Sequence, residues 1–142
     1  MGRRRAPLTD LPSVESLLLD AGAVLAIAQD RQQVRRWIEH ADGLGVDPRV
    51  SLVTVAEVFR DRPGGARVQW VLSRLDKEPF TLGHAWDAGR LLGHSGGRGM
   101  TIDAIVAATA LGMPKPVALL TGDPGDLERL LDGYRGVYVA KV

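Results

Sequence analysis

The sequence predicts an α/β fold in which a mostly parallel sheet of four to five strands is covered by helices on both faces. Three observations lead there. Short apolar runs rich in Val and Leu, such as "SLLL" and "VALL", carry no polar alternation, as strands buried on both faces require. Longer stretches with apolar residues at helical spacing separate them. Gly and Pro clusters punctuate the junctions, and only a parallel sheet with crossover helices buries this alternation throughout.

The elements follow in order. "SLLLD" (16–20) is a strand ending in an acid. "AGAVLAIAQDRQQVRRWIEHADGLG" (21–45) predicts one long helix with a Gly-rich stop. "RVSLVTV" (49–55) is β-branched and predicts the second strand, with "AEVFRDR" turning helical until Pro63, Gly64 and Gly65 break it. In "ARVQWVLSRLDK" (66–77), Val68, Val71, Leu72 and Leu75 fall at the i, i+3, i+4, i+7 spacing of an amphipathic helix. "PFTLG" (79–83) predicts a short strand, and "HAWDAGRLLGHSGG" (84–97) a helix closed by glycines. "MTIDAIVAATALGM" (100–113) is Ala-rich and apolar enough for a buried helix, ended by Pro114 and Pro116. "VALLTGD" (117–123) is the fourth strand, "PGDLERLLDG" (124–133) an amphipathic helix and "VYVAKV" (137–142) the closing strand.

Composition narrows the chemistry. The 142 residues suit one domain, read as a basic N-terminal extension over 1–15 and a folded domain over 16–142. With no cysteine, thiolate zinc sites, disulfides and cysteine nucleophiles are excluded together. Apolar runs such as Ala21 to Ala28 fall well short of the roughly 20 residues of a membrane span. After Arg3, Arg4 and Arg5 come Pro7, Asp10, Pro12 and Glu15 in place of an apolar signal core, so the expectation is a cytoplasmic protein. A net charge of +1 confines any nucleic-acid contact to local clusters, of which Arg31, Arg35 and Arg36 form one and Arg60, Arg62 and Arg67 another.

Ligands of open parallel sheets gather at the carboxyl ends of the strands. Asp20 ends the first predicted strand, Glu57 falls in the first turn after the second, Asp103 opens the buried helix, and Asp123 ends the fourth strand. A hard cation such as Mg²⁺ or Mn²⁺ takes oxygen ligands of this kind, and two ions about 4 Å apart can drive phosphodiester hydrolysis. Each acid also has a plain structural explanation. Asp20 can cap the following helix, Thr54 to Glu57 reads as a capping box, and Thr101 can cap the helix of Asp103. Asp123 before Pro124 reads as an N-cap, with Asp126 at the third helical position. Four carboxylates at one edge nevertheless repel each other, and a cation is the simplest compensation.

The segments "LLLDAGAVLAI", "SLVTVAEVFR", "TIDAIVAATAL" and "LLTGDPGDL", in this order, resemble the four acidic motifs of PIN-domain ribonucleases, especially VapC-type toxins of toxin–antitoxin pairs. The resemblance covers about residues 16–142 and implies a three-layer α/β/α sandwich, often dimeric, that cleaves RNA with Mg²⁺ or Mn²⁺. It further implies a VapB-type antitoxin as partner. Asp20, Glu57, Asp103 and Asp123 match the four family acids as catalytic residues and metal ligands. Asp126 matches a frequent fifth carboxylate, and Thr121 the hydroxyl of the last motif. Residues 1–15 depart from the family pattern, in which the first strand starts near the initiator Met, and so does the Gly-rich "SGGRGM" before Thr101.

Two other readings remain open at this level. "LLLDAG" with "TGDPGD" resembles the outer acidic motifs of haloacid-dehalogenase-type phosphatases, but the second Asp of that family would fall at position 22, which is Gly. The second is a PIN-like module that binds RNA or protein without cutting. Trp70, Val71 and Leu75 read as core. His40, His84 and His94 lie on different predicted elements without an i, i+4 pair, so no zinc or catalytic role is assigned to them.

Overall fold

The computed structural model describes residues 11–97 and 100–142. The Arg3–Arg5 part of the basic extension and residues 98–99 of the Gly-rich approach lie outside the described residues. Five strands form one sheet: β1 (Ser16–Leu19), β2 (Pro48–Ser51), β3 (Asp76–Glu78), β4 (Val117–Thr121) and β5 (Val137–Lys141). Their order is β3-β2-β1-β4-β5, and all four pairings are parallel. The chain winds outward from β1 to β3, then crosses back to place β4 on the other side of β1. The topological switch point therefore lies between β1 and β4.

Helices α1 (Ala21–Ala28), α2 (Gln32–Gly43), α3 (Leu52–Val58) and α4 (Ala66–Ser73) come before the crossing, α5 (Leu82–Ser95) and α6 (Thr101–Leu111) make it, and α7 (Pro124–Leu130) follows β4. Successive strand residues point to opposite faces, and the core divides accordingly. Leu17, Leu19, Ala118 and Leu120 pack with Val24, Trp37 and Val71 of α1, α2 and α4. Leu18, Val117 and Leu119 pack with Leu91, Val106 and Leu127 of α5, α6 and α7. The result is the three-layer sandwich expected, with helices changing face where strand order reverses. Val14 is buried in the first of these clusters, and the Glu15 N–H donates to the Pro116 carbonyl at 2.8 Å.

Three boundaries differ from the sequence reading. The stretch 21–45 is two helices, because Asp30 takes the left-handed conformation (φ 58°) and turns the chain between them. A short polar side chain tolerates that region better than most. The second strand stops at Ser51, whose hydroxyl accepts from the Val53 N–H at 3.2 Å and starts α3. The β-branched "LVTV" is thus helical, and α3 ends at Val58 well before Pro63. The third strand is Asp76–Glu78 and not "PFTLG". As a sheet edge it is short and charged, which discourages pairing with a foreign strand.

Candidate functional site

The acidic edge is built around a close backbone approach. The first turn of α1 lies against the loop after β4, where Gly22 faces Gly122. A Cβ on Gly22 would stand 2.7 Å from the Gly122 nitrogen and 2.9 Å from its Cα. This contact brings the end of β1 to the end of β4 and sets Asp20 beside Thr121. It also excludes an Asp at position 22, so the two-aspartate arrangement of the phosphatase reading has no room here. The sequence signal was the glycine in each of "DAG" and "TGD".

Asp20 is the N-cap of α1 and is 9% exposed. Its Oδ1 accepts from the Ala21 N–H at 2.6 Å, and its Oδ2 accepts from the buried Thr121 hydroxyl at 2.9 Å. Thr121 in turn accepts from the Asp123 N–H at 3.1 Å. One hydroxyl thus ties the ends of β1 and β4 together and fixes the Asp20 carboxylate. The capping role and a site role coexist in this residue.

Asp123 holds the N-cap position of α7 with Pro124 behind it, yet its carboxylate makes no capping bond. The cap expected from the sequence is there in backbone only, and the side chain is left exposed at the edge. Asp126 lies in the first turn of α7 and pairs loosely with Arg129 at 3.8 Å. Asp103 lies in the first turn of α6, half-buried. That helix is preceded by Met100 at the N-cap and not by Thr101, which is already helical.

Glu57 is displaced from its expected place. It stands in the last turn of α3, not the first, because Ser51 caps the helix one turn earlier than the Thr54 capping box would. Thr54 is buried with no hydrogen-bond partner for its hydroxyl among the described residues. Helix α3 contacts both α1 and α6, which carries Glu57 toward Asp20 and Asp103 all the same. Arg60, a candidate phosphate contact, turns back to donate to the Ala56 and Phe59 carbonyls and closes the end of α3.

The carboxylates sense one another. Partial burial, then the charges of Asp20 and Asp103, push the Glu57 carboxyl above the usual range. Partial burial, then Asp20, Asp126 and Asp123, do the same to Asp103. A donor set of oxygens alone, held toward protonation by mutual repulsion, fits a hard divalent cation. Among the described residues no three His, Cys, Asp or Glu side chains form a group able to hold an ion by themselves. The histidines lie elsewhere. His84 closes a capping box with Thr81 at the start of α5, a role the sequence reading missed.

No protein-family model and no curated protein sequence matches this chain. Solved structures do. A chain of VapBC2 from Rickettsia felis, bound to a DNA fragment from its promoter, superposes with a TM-score of 0.67 at 16% identity, over 89% of this chain and 98% of that one. A chain of a toxin–antitoxin complex from Klebsiella pneumoniae gives 0.67 at 20% identity, over 89% and 99%. One from DNA-bound VapBC of Salmonella typhimurium gives 0.66 at 17%, over 89% and 97%. The fold of this chain is that of the VapBC toxin–antitoxin structures, the VapC-type PIN fold that its four acidic motifs resemble.

Proposed function

We propose that the chain is a Mg²⁺- or Mn²⁺-dependent endoribonuclease, the toxin of a type II toxin–antitoxin pair, acting at Asp20, Glu57, Asp103 and Asp123. The observation that carries this reading is the gathering of carboxylates from four separate segments at the switch-point edge of a parallel sheet, despite the repulsion that raises Glu57 and Asp103. Asp20, Asp103 and Asp123 hold the cation, directly or through water, and Asp126 supports them from α7. The bound ion supplies Lewis acidity toward the phosphodiester. Thr121 keeps Asp20 oriented by its hydrogen bond. Glu57 orients the attacking water and accepts its proton, a task helped by a carboxyl held above its ordinary range.

In this reading the partners are RNA, a VapB-type antitoxin and a second copy of the chain, in the cytoplasm. Leu82 and Trp86 of α5, 74% and 64% exposed, are apolar area of the kind protein contacts cover. No helix among the described residues is long and apolar enough to cross a membrane. The test is RNA cleavage by the wild type, Asp20→Asn and Asp103→Asn, with Mg²⁺ or with chelator. Cleavage is expected from the metal-supplied wild type alone. Full-rate cutting by Asp103→Asn, or indifference to chelator, overturns the assignment.

A further inference from the structure

Trp70 is not the core residue that its apolar side chain suggests. Val71, Leu72 and Leu75 enter the core, while Trp70 stays 52% exposed on the outer face of α4. Two arginines one turn to either side lie against its ring. The Arg67 guanidinium carbon is 4.8 Å from the ring centroid and that of Arg74 is 6.0 Å. Arg67 also reaches the Ala28 carbonyl at the end of α1, at 3.5 Å. Just beyond that point stand Arg31 and Arg35, the latter paired with Asp30. An exposed indole is thus flanked by two guanidinium groups within a patch that carries more cations than acids.

We propose that this face of α4 is a subsite for single-stranded RNA, in which a base stacks on the Arg67–Trp70–Arg74 group while Arg31 and Arg35 meet the backbone phosphates. The proposal rests on the ribonuclease reading above and names where the substrate is held. Stackable aromatic faces with clustered cations are the shared device of sequence-tolerant single-strand binding. Arginine serves both halves of it, since its planar fork stacks on rings and bonds phosphate in bidentate fashion. Placement agrees. Helix α4 packs on α1, whose eight residues rise about 12 Å from the Ala28 end to Asp20. A strand seated on α4 therefore leads along α1 to the acidic edge, past the α3–α4 connection that carries Arg62.

The test uses the full chain in chelator, so that binding is read without cleavage, with a labelled single-stranded RNA of about 12 nucleotides. Trp70→Ala is expected to weaken binding about tenfold or more, and Trp70→Phe, which keeps an aromatic face, about threefold or less. Arg31→Ala with Arg35→Ala should lower the slope of log affinity against log salt by about 1.4, or roughly 0.7 for each phosphate contact on a single strand. Wild-type tryptophan fluorescence should be quenched by RNA and that of Trp70→Phe should not, because Trp37 is buried and Trp86 stands on the opposite helical layer. With metal restored, KM should rise in Trp70→Ala while kcat holds. Unchanged affinity, slope and quenching in these variants overturn the subsite even where cleavage proves the ribonuclease reading right. Trp70-dependent binding without cleavage supports the subsite and overturns the ribonuclease reading. Loss of a VapB-type antitoxin alone, with RNA binding intact, makes the patch a protein contact and overturns the proposal.

Discussion

Gly22→Ala is a test in which sign separates two explanations. If the glycine were an ordinary helix residue, alanine would stabilise α1 by up to about 1 kcal/mol through propensity and a less free unfolded chain. The structure requires the opposite. The new Cβ would stand 2.7 Å from the Gly122 nitrogen and 2.9 Å from its Cα, while ordinary contact begins near 3.4 Å. Backbone on both sides must then part by 0.5 to 0.7 Å, the differences between that limit and the two contacts. Overpacking of this kind costs about 1–3 kcal/mol, which exceeds the propensity gain. The reciprocal change is the control. A Cβ on Gly122 meets Gly22 Cα at 3.4 Å, a tolerable contact, so Gly122→Ala should lie within about 0.5 kcal/mol of the wild type. Urea unfolding of the three proteins measures both. The parting also moves Asp20 relative to Asp123, so cleavage should fall by up to about 100-fold in Gly22→Ala, the loss a displacement near 1 Å can bring. A Gly22→Ala protein as stable as the wild type, or more so, refutes the account of this contact.

Other outcomes follow from the same edge. Thr121→Val removes the donor to Asp20; it should destabilise by about 1.5–3 kcal/mol and cut metal-dependent cleavage about 10- to 100-fold, whereas Thr121→Ser should retain most activity. Ser51→Ala should cost about 1 kcal/mol as a lost N-cap, while Thr54→Val, which removes a buried hydroxyl without a partner among the described residues, should be neutral or stabilising in the same denaturation assay. Because Asp103 is raised by burial and by its acidic neighbours, the folded state holds its proton more tightly than the unfolded one, and stability is lost as pH rises through the raised pKa. In chelator, Asp103→Asn should therefore melt higher than the wild type at pH 7, with the gain vanishing below about pH 4; a lower melting temperature at pH 7 contradicts the repulsion.

The layers and the strand-end acids were legible because their signals are local and redundant. Leu17 to Leu19 and Val117 to Leu120 are apolar at every position and lie buried on both faces, so period and burial agreed. The errors fell where a local preference yielded to context. "LVTV" favours a strand by side-chain shape, yet Ser51 capped it into a helix, and that cap decided where Glu57 stands. Asp30 and its left-handed turn lay inside an unbroken helical pattern. Asp76–Glu78 shows no apolar pattern because an exposed edge strand needs none. The Gly22–Gly122 approach joins segments that sequence spacing cannot relate, and Trp70 was misread because its apolar side chain was weighed above the helical period, which sets it opposite Val68, Val71, Leu72 and Leu75.

The neighbour of β1 across the switch point is β4, and Thr121 meets Asp20 over 101 positions of chain. Before β4 has been synthesised, β1 can pair with β2, but Asp20 lacks its hydroxyl partner and Asp123 does not yet exist. A nascent chain holding β1 to β3 and α1 to α6 therefore has three of the five strands and three of the four acids, Asp20, Glu57 and Asp103. Closing so distant a pair is also slow compared with local helix formation. The acidic edge is complete only once β4 is inserted beside β1, so a fragment that ends between α6 and β4 lacks both Asp123 and the Thr121 partner of Asp20.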